Sequence, residues 1–236
     1  MLMQRRRRMV LVAVVLIGTL GWIVVKEWPN LPLIPPDLQS QQSGSNSDSG
    51  EVARDALAAL PTKGRAPKTG YKRSQFGDGW AKVGGCDTRN VILRRDLTNA
   101  VLGDDNCKVQ AGALSDPYTG QRIAFKRGAN SSGAVQIDHV VALSNAWQTG
   151  AQQLSSEQRI SLANDPLELL AVDGPANQQK GDGDAATWLP SNKPFRCQYI
   201  ARQIAVKKKY SLWVTPPERT AMERILASCP EQRLPA

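Results

Sequence analysis

The sequence predicts an α+β domain in which several helices wrap a few short strands, placed behind an apolar N-terminal helix. Three observations carry this prediction. Windows at residues 90–101, 142–153, 157–163, 195–210 and 217–228 show helical apolar spacing or helix-start signals. Strand-like runs are short: 123–125, 136–143 and 169–172. The long apolar run Met9 to Val25 follows a cluster of four arginines, Arg5 to Arg8.

That first run spans about 17 residues, near the short limit for crossing a bilayer, with Trp22 and Trp28 near the expected interface. The arginines stay cytoplasmic, so everything after residue 28 is expected outside. An uncleaved single-pass anchor over 1–28 is preferred to a cleaved secretory signal, because Lys26-Glu27-Trp28-Pro29 offers no small-x-small cleavage site. Export follows in either case. Residues 29–51 are rich in Pro, Ser and Gln and read as a flexible linker, since Gln39 to Gly50 holds no apolar residue.

Residues 52–236 are long enough for one ordinary core and begin with a short amphipathic helix, Val52 to Leu60. A turn at Asp116-Pro117-Tyr118-Thr119-Gly120 leads into a strand around Ile123-Ala124-Phe125, flanked by Arg122 and Arg127. Leu169 to Val172 reads as a buried strand, and Asp173-Gly174-Pro175 as the start of a helix carrying Asn177 and Lys180 on one face. Pro216-Pro217 opens the last helix, and Lys207-Lys208-Lys209 reads as a solvated run on the one before it.

The four cysteines, Cys86, Cys107, Cys197 and Cys229, lack any Cys-x-x-Cys pair and suit an exported, disulfide-bonded chain better than a zinc knuckle. Of three pairings, order and grouping favour Cys86 with Cys107 and Cys197 with Cys229. The net charge of +9 suits polyanions and an anionic envelope equally.

His139 is the only histidine among 236 residues, so it alone has an ordinary pKa suited to acid/base work near neutrality. A single imidazole also excludes zinc sites built on two or three histidines. Asp138 and Asn177 offer one anionic and one neutral oxygen, enough to hold a hard divalent cation that keeps most of its water. Magnesium is expected first, then manganese or calcium. Lys180 would hold a phosphate as a point charge. Arg122 and Arg127 are candidate backbone contacts, with Arg159 and Arg196 weaker ones. Asp182 and Asp184 sit in an acid- and glycine-rich turn that lacks the rest of a calcium loop.

The ordered set Asp116-Pro117-Tyr118-Thr119-Gly120, Ile137-Asp138-His139-Val140-Val141-Ala142-Leu143, Trp147, Ala163-Asn164-Asp165-Pro166, Asn177-Gln178-Gln179-Lys180-Gly181-Asp182 and Trp188-Leu189-Pro190 resembles one branch of the HNH endonucleases. That branch is the C-terminal domain of GmrSD restriction endonucleases, which also occurs alone in secreted or membrane-anchored bacterial proteins. The resemblance covers roughly residues 80–230. It implies a small ββα-metal core (HNH, or His-Me finger) and an extracytoplasmic, metal-dependent endonuclease acting on DNA ahead of RNA and leaving a 5′ phosphate. It implies His139 as general base, and Asp138 and Asn177 as metal ligands, Asn177 thereby counting among the catalytic residues. No nucleotide cofactor is expected. The central Asn of the family pattern is not matched in register: Glu168 stands there, and Asn164 is the nearest upstream asparagine, so either would orient the His139 loop. The rival readings are a non-catalytic, envelope-associated basic binding protein that keeps the HNH fold, and a disulfide-rich module of a surface assembly.

Overall fold

The computed structural model describes residues 50–129 and 131–235, so the expected anchor over 1–28 and nearly all of the linker over 29–51 lie outside the described residues. Among the described residues no helix is long and apolar enough to cross a membrane. The domain is α+β, as expected. A short helix α1 (Ala53–Ala59) precedes a hairpin of β1 (Lys82–Val83) and β2 (Cys86–Asp87). Helix α2 (Thr88–Asp96) then leads into an antiparallel sheet of β3 (Leu97–Leu102), β4 (Val109–Ser115) and β5 (Arg122–Lys126).

A second antiparallel pair joins β6 (Val135–His139) to β7 (Leu169–Asp173), with α3 (Leu143–Gln148) and α4 (Ser156–Asn164) inserted between them. Helix α5 (Gly174–Lys180) follows β7 directly and packs on both strands of the pair. Two longer helices, α6 (Arg196–Lys209) and α7 (Pro216–Leu226), complete the fold.

The β6–β7 pair is buried on both faces, which explains its apolar runs. Val135 and Ile137 of β6, with Leu169 and Ala171 of β7, join Ile92, Leu114 and Phe125 in one apolar cluster. Leu170 and Val172 belong to the larger cluster formed with Tyr118, Tyr199 and Ile204. Successive strand residues alternate faces, so Asp138, opposite Leu170, and His139, opposite Leu169, start toward different neighbours.

Helix α5 forms where expected because Asp173 caps it, its side chain accepting the Ala176 N–H at 2.8 Å, with Pro175 in the first turn. Gly174 permits a close approach: a Cβ there would lie 2.0 Å from the Gly133 carbonyl oxygen. Any side chain at 174 would push α5 off the segment leading into β6. Ser155 and Thr215 supply full capping boxes for α4 and α7.

Two expectations are corrected. The helix predicted over 90–101 stops at Asp96, and Leu97–Leu102 pairs with β4 instead. The Asp96 carboxylate accepts the Ala171 N–H at 2.8 Å, and buried Leu97 pairs with buried Leu114, so tertiary packing overrides the helical spacing. Lys207 is not solvated with Lys208 and Lys209. Its side chain is 0% exposed, and its ammonium pairs with Glu218 at 3.0 Å and donates to the Trp213 carbonyl at 3.0 Å.

The disulfides join Cys86 to Cys107 and Cys197 to Cys229, the pairing favoured by sequence order. The first ties the β1–β2 hairpin to the start of β4, the second ties α6 to the end of α7. Each closes a loop worth about 3 kcal/mol through restriction of the unfolded chain.

Candidate active site

The end of β6 and the helix α5 meet at a cleft of about 360 Å³ lined by Arg73, Gln136, Asp138, His139, Asn177 and Asp182, among others. Asp138, His139 and Asn177, 39 positions apart at the extremes, thus face one space. The antiparallel pairing of β6 with β7 makes this possible, because it brings the start of α5 back beside β6.

Asp138 is 6% exposed and heavily partnered. Lys180 Nζ lies 3.0 Å from each of its carboxylate oxygens and also donates to the His139 carbonyl at 2.8 Å. The Tyr118 hydroxyl donates to Oδ2 of the same carboxylate. Burial raises the Asp138 carboxyl above the ordinary carboxylate range, against the opposing pull of Lys180 and Tyr118. Tyr118 is itself wholly buried, and burial together with the Asp138 charge lifts its hydroxyl well above the usual phenol value, so it stays a donor. The Asp116 turn holds Tyr118 in place: Asp116 Oδ2 accepts the Thr119 N–H at 2.7 Å, and Oδ1 accepts the Asp173 N–H at 2.8 Å.

His139 is 6% exposed, and its Nε2 lies 3.0 Å from the Ala163 carbonyl oxygen. A carbonyl only accepts, so Nε2 carries the hydrogen and the neutral ring keeps its lone pair on Nδ1. The Trp80 indole stacks on the imidazole, with centroids 5.7 Å apart and planes within 5°. Burial, and then the nearby Arg73 charge, lower the ring pKa to about 3 against the opposing Ala163 hydrogen bond. The imidazole is therefore neutral at physiological pH.

A stability prediction follows from that shift. The unfolded chain protonates the ring near 6.5 and the folded chain only near 3, so between these values the unfolded state holds the additional proton. Stability falls as the pH drops through that window. Urea midpoints of the wild type should decline more steeply from pH 6.5 to 3 than those of His139→Gln; parallel declines would show that the ring is not held neutral.

Glu168 and Asn164, the two candidates for orienting the His139 loop, have different positions. Glu168 is fully buried; its carbonyl accepts the Val140 N–H at 2.8 Å and its Oε2 the Val141 N–H at 3.2 Å. It thus holds both residues after His139. Burial raises its carboxyl well above the usual range, against the opposing hydrogen bond from the Val141 N–H. Asn164 acts on the other wall: Oδ1 accepts the Ala81 N–H at 2.8 Å, tying the Trp80 segment to α4.

The remaining candidates separate. Asn177 donates from Nδ2 to Gln136 Oε1 at 2.9 Å, which leaves its carbonyl oxygen as the free end of the amide. Lys180 does not reach the cleft as a phosphate clamp: its side chain is 0% exposed and its ammonium is engaged by the Asp138 carboxylate and the His139 carbonyl. Arg127 is likewise turned inward, to the Val109 carbonyl at 2.7 Å and Asn90 Oδ1 at 2.6 Å. Arg122 is exposed at the start of β5, outside the residues that line the cleft. Arg159 is bound to Gln75 and Leu154, and Arg196 to the Pro190 carbonyl. Asp182 and Asp184 pair with Lys68 and Arg65 at 2.7 and 2.6 Å. Arg73, which lines the cleft, and Trp80, which stacks on the His139 ring, carry no sequence signal of their own, and Tyr118 stood only as part of a turn.

The candidate metal ligands at the cleft, Asp138 and Asn177, offer oxygen, and His139 Nδ1 is kept for the proton. A carboxylate has roughly four lone-pair sites; the hydrogen bonds from Lys180 to Oδ1 and from Tyr118 to Oδ2 do not use them all. With the Asn177 carbonyl this fits a hard cation held by few protein ligands and completed by water and phosphate. No group of three or more His, Cys, Asp or Glu among the described residues forms a richer metal site.

A family model described as "GmrSD restriction endonucleases, C-terminal domain" matches residues 87–225. The chain is 37% identical over 187 residues to an "Uncharacterized secreted protein" of Arthroderma benhamiae, covering 78% of this chain and 88% of that one. No solved structure matches.

Proposed function

Because the chain belongs to the family of GmrSD restriction endonuclease C-terminal domains, we propose that it is an exported, metal-dependent HNH-type nuclease that hydrolyses phosphodiester bonds, of DNA ahead of RNA. The observation that carries this reading is the cleft in which Asp138, Asn177 and His139 share one space, with the imidazole presenting an unprotonated Nδ1. The β6–β7–α5 arrangement supports the ββα-metal reading. The two disulfides and the relative's description as secreted support export, since such bonds persist outside reducing compartments.

In this mechanism His139 Nδ1 takes a proton from water as its oxygen bonds to phosphorus. The bond from phosphorus to the 3′ oxygen breaks and that oxygen takes a proton from solvent water, leaving a 5′ phosphate and a 3′ hydroxyl, while the proton on His139 returns to solvent. The Ala163 carbonyl and the Trp80 face hold the ring in the tautomer and plane this requires. A phosphodiester entering the cleft opposes the Arg73 charge that depresses the ring, and so raises its proton affinity at the moment of use. Asp138 and Asn177 would hold a magnesium ion, which supplies charge stabilisation at the scissile phosphate. Tyr118 and Lys180 fix the Asp138 carboxylate between them.

The test uses the purified full chain with supercoiled plasmid. Nicking or linearisation with magnesium or manganese, arrested by EDTA and restored by added metal, is expected. No cleavage with either ion would end the nuclease reading; undiminished cleavage in EDTA would end its metal dependence.

A further inference from the structure

Among the described residues lining the cleft, one side chain is cationic: Arg73. It also lines the small cavity of about 40 Å³ bounded by Trp80, His139, Leu143 and Ala163, so Arg73 borders both spaces that His139 lines. Arg73 begins a single 3₁₀ turn, Arg73–Phe76, whose Phe76 is 2% exposed and anchors the turn in the core. The turn packs against α4, the helix whose Ala163 carbonyl holds the His139 ring. Its position relative to the ring is thus set by packed structure.

The segment leading to it, Lys63-Gly64-Arg65-Ala66-Pro67-Lys68-Thr69-Gly70-Tyr71-Lys72-Arg73, is strongly basic and contains no acid. Two of its cations act as struts, Arg65 on Asp184 and Lys68 on Asp182, and pin the segment to the loop that follows α5. Lys63 lies over the Trp213 ring at 5.3 Å. Lys72 and Arg73 are exposed and, among the described residues, enter no side-chain hydrogen bond or ion pair. All of this lies before residue 87, outside the family match.

We propose that Arg73, with Lys72 beside it, is the cation that grips the phosphate at the cleft, the task sequence reasoning gave to Lys180. The assignment rests on the nuclease reading and deepens it. A cleft that takes a phosphodiester needs an accessible cation within reach of the reacting group, and Lys180 is sequestered under Asp138. A guanidinium presents paired N–H donors that match two phosphate oxygens, which an ammonium does not. The two lysine–carboxylate and arginine–carboxylate struts hold the strip in register with the loop after α5, so the backbone of the nucleic acid is guided along the segment toward His139.

Binding measured without metal separates this from catalysis. The full chain is titrated in EDTA with a short fluorescein-labelled DNA duplex, anisotropy being followed across a series of salt concentrations. Arg73→Ala is expected to weaken binding by on the order of tenfold and to reduce the slope of log K against log salt by about 1. Arg73→Lys should restore the slope but only part of the affinity. Arg224→Ala, an exposed arginine of α7 outside the cleft residues, controls for the loss of one net charge. If wild type binds and cleaves while Arg73→Ala matches Arg224→Ala in affinity and slope, the assignment is overturned and the nuclease reading stands. If wild type neither binds nor cleaves the duplex, the nuclease reading falls and the assignment with it.

Discussion

Replacing His139 by asparagine should reduce plasmid cleavage by about 10²- to 10⁴-fold, the usual contribution of a positioned general base. Asparagine suits the test because its amide N–H can still donate toward the Ala163 carbonyl, which accepts from the ring in the wild type. The site is 6% exposed and stacked under Trp80, so His139→Ala risks a cavity and an unpaired carbonyl as well as the loss of the base. Far-ultraviolet circular dichroism and the melting temperature of both variants give the folded fraction to which rates are normalised. With one histidine in the chain, no second imidazole can substitute. Cleavage by folded His139→Asn at the wild-type rate would refute the role of the ring.

Lys180→Met is expected to destabilise the fold by about 3–5 kcal/mol, as removal of one partner from a buried ion pair does. Methionine keeps most of the side-chain volume but leaves the Asp138 carboxylate, 7% exposed, without its ammonium. It also strips the donor from the His139 carbonyl. A solvated phosphate clamp behaves differently: substitution at an exposed charge changes stability by less than about 0.5 kcal/mol. Urea unfolding decides between the two roles, read as a shift of midpoint at constant slope. Asp138→Asn combined with Lys180→Met should recover part of the loss, because the buried charge is then gone. A midpoint for Lys180→Met indistinguishable from wild type would mean the pair is not buried in solution.

The proximity of Asp138, His139 and Asn177 was legible because each stands in a local pattern: an acid and a base at the end of an apolar strand, and an amide on a helix with an Asp cap and a Pro start. The roles of their neighbours were not legible. Lys180 shares a helix face with Asn177, yet its destination depends on where β6 passes, and it is Asp138, 42 residues away, that captures it. Arg127 looked like a strand-end cation and instead serves Asn90, 37 residues earlier. Arg73 and Trp80 belong to irregular segments whose sequence carries no periodicity, so nothing short of their packing marks them.

By itself the sequence marked the apolar strands around His139 and Leu169–Val172, the capped helix that carries Asn177 and the one side chain able to act as a base, and it favoured the cysteine pairing that is found. These depend on residues a few positions apart, or on simple counts, and on backbone preferences that act locally. The tertiary structure alone decided the tautomer of His139, the raised proton affinity of the Glu168 carboxyl, the burial of Lys180 and Lys207, and which cation lines the cleft among the described residues. Each of these is a matter of desolvation and of partners brought from distant segments, such as the Ala163 carbonyl 24 residues beyond His139. Charge and proton placement follow the solvent and neighbours a group meets after the chain has packed, and no local pattern carries that information.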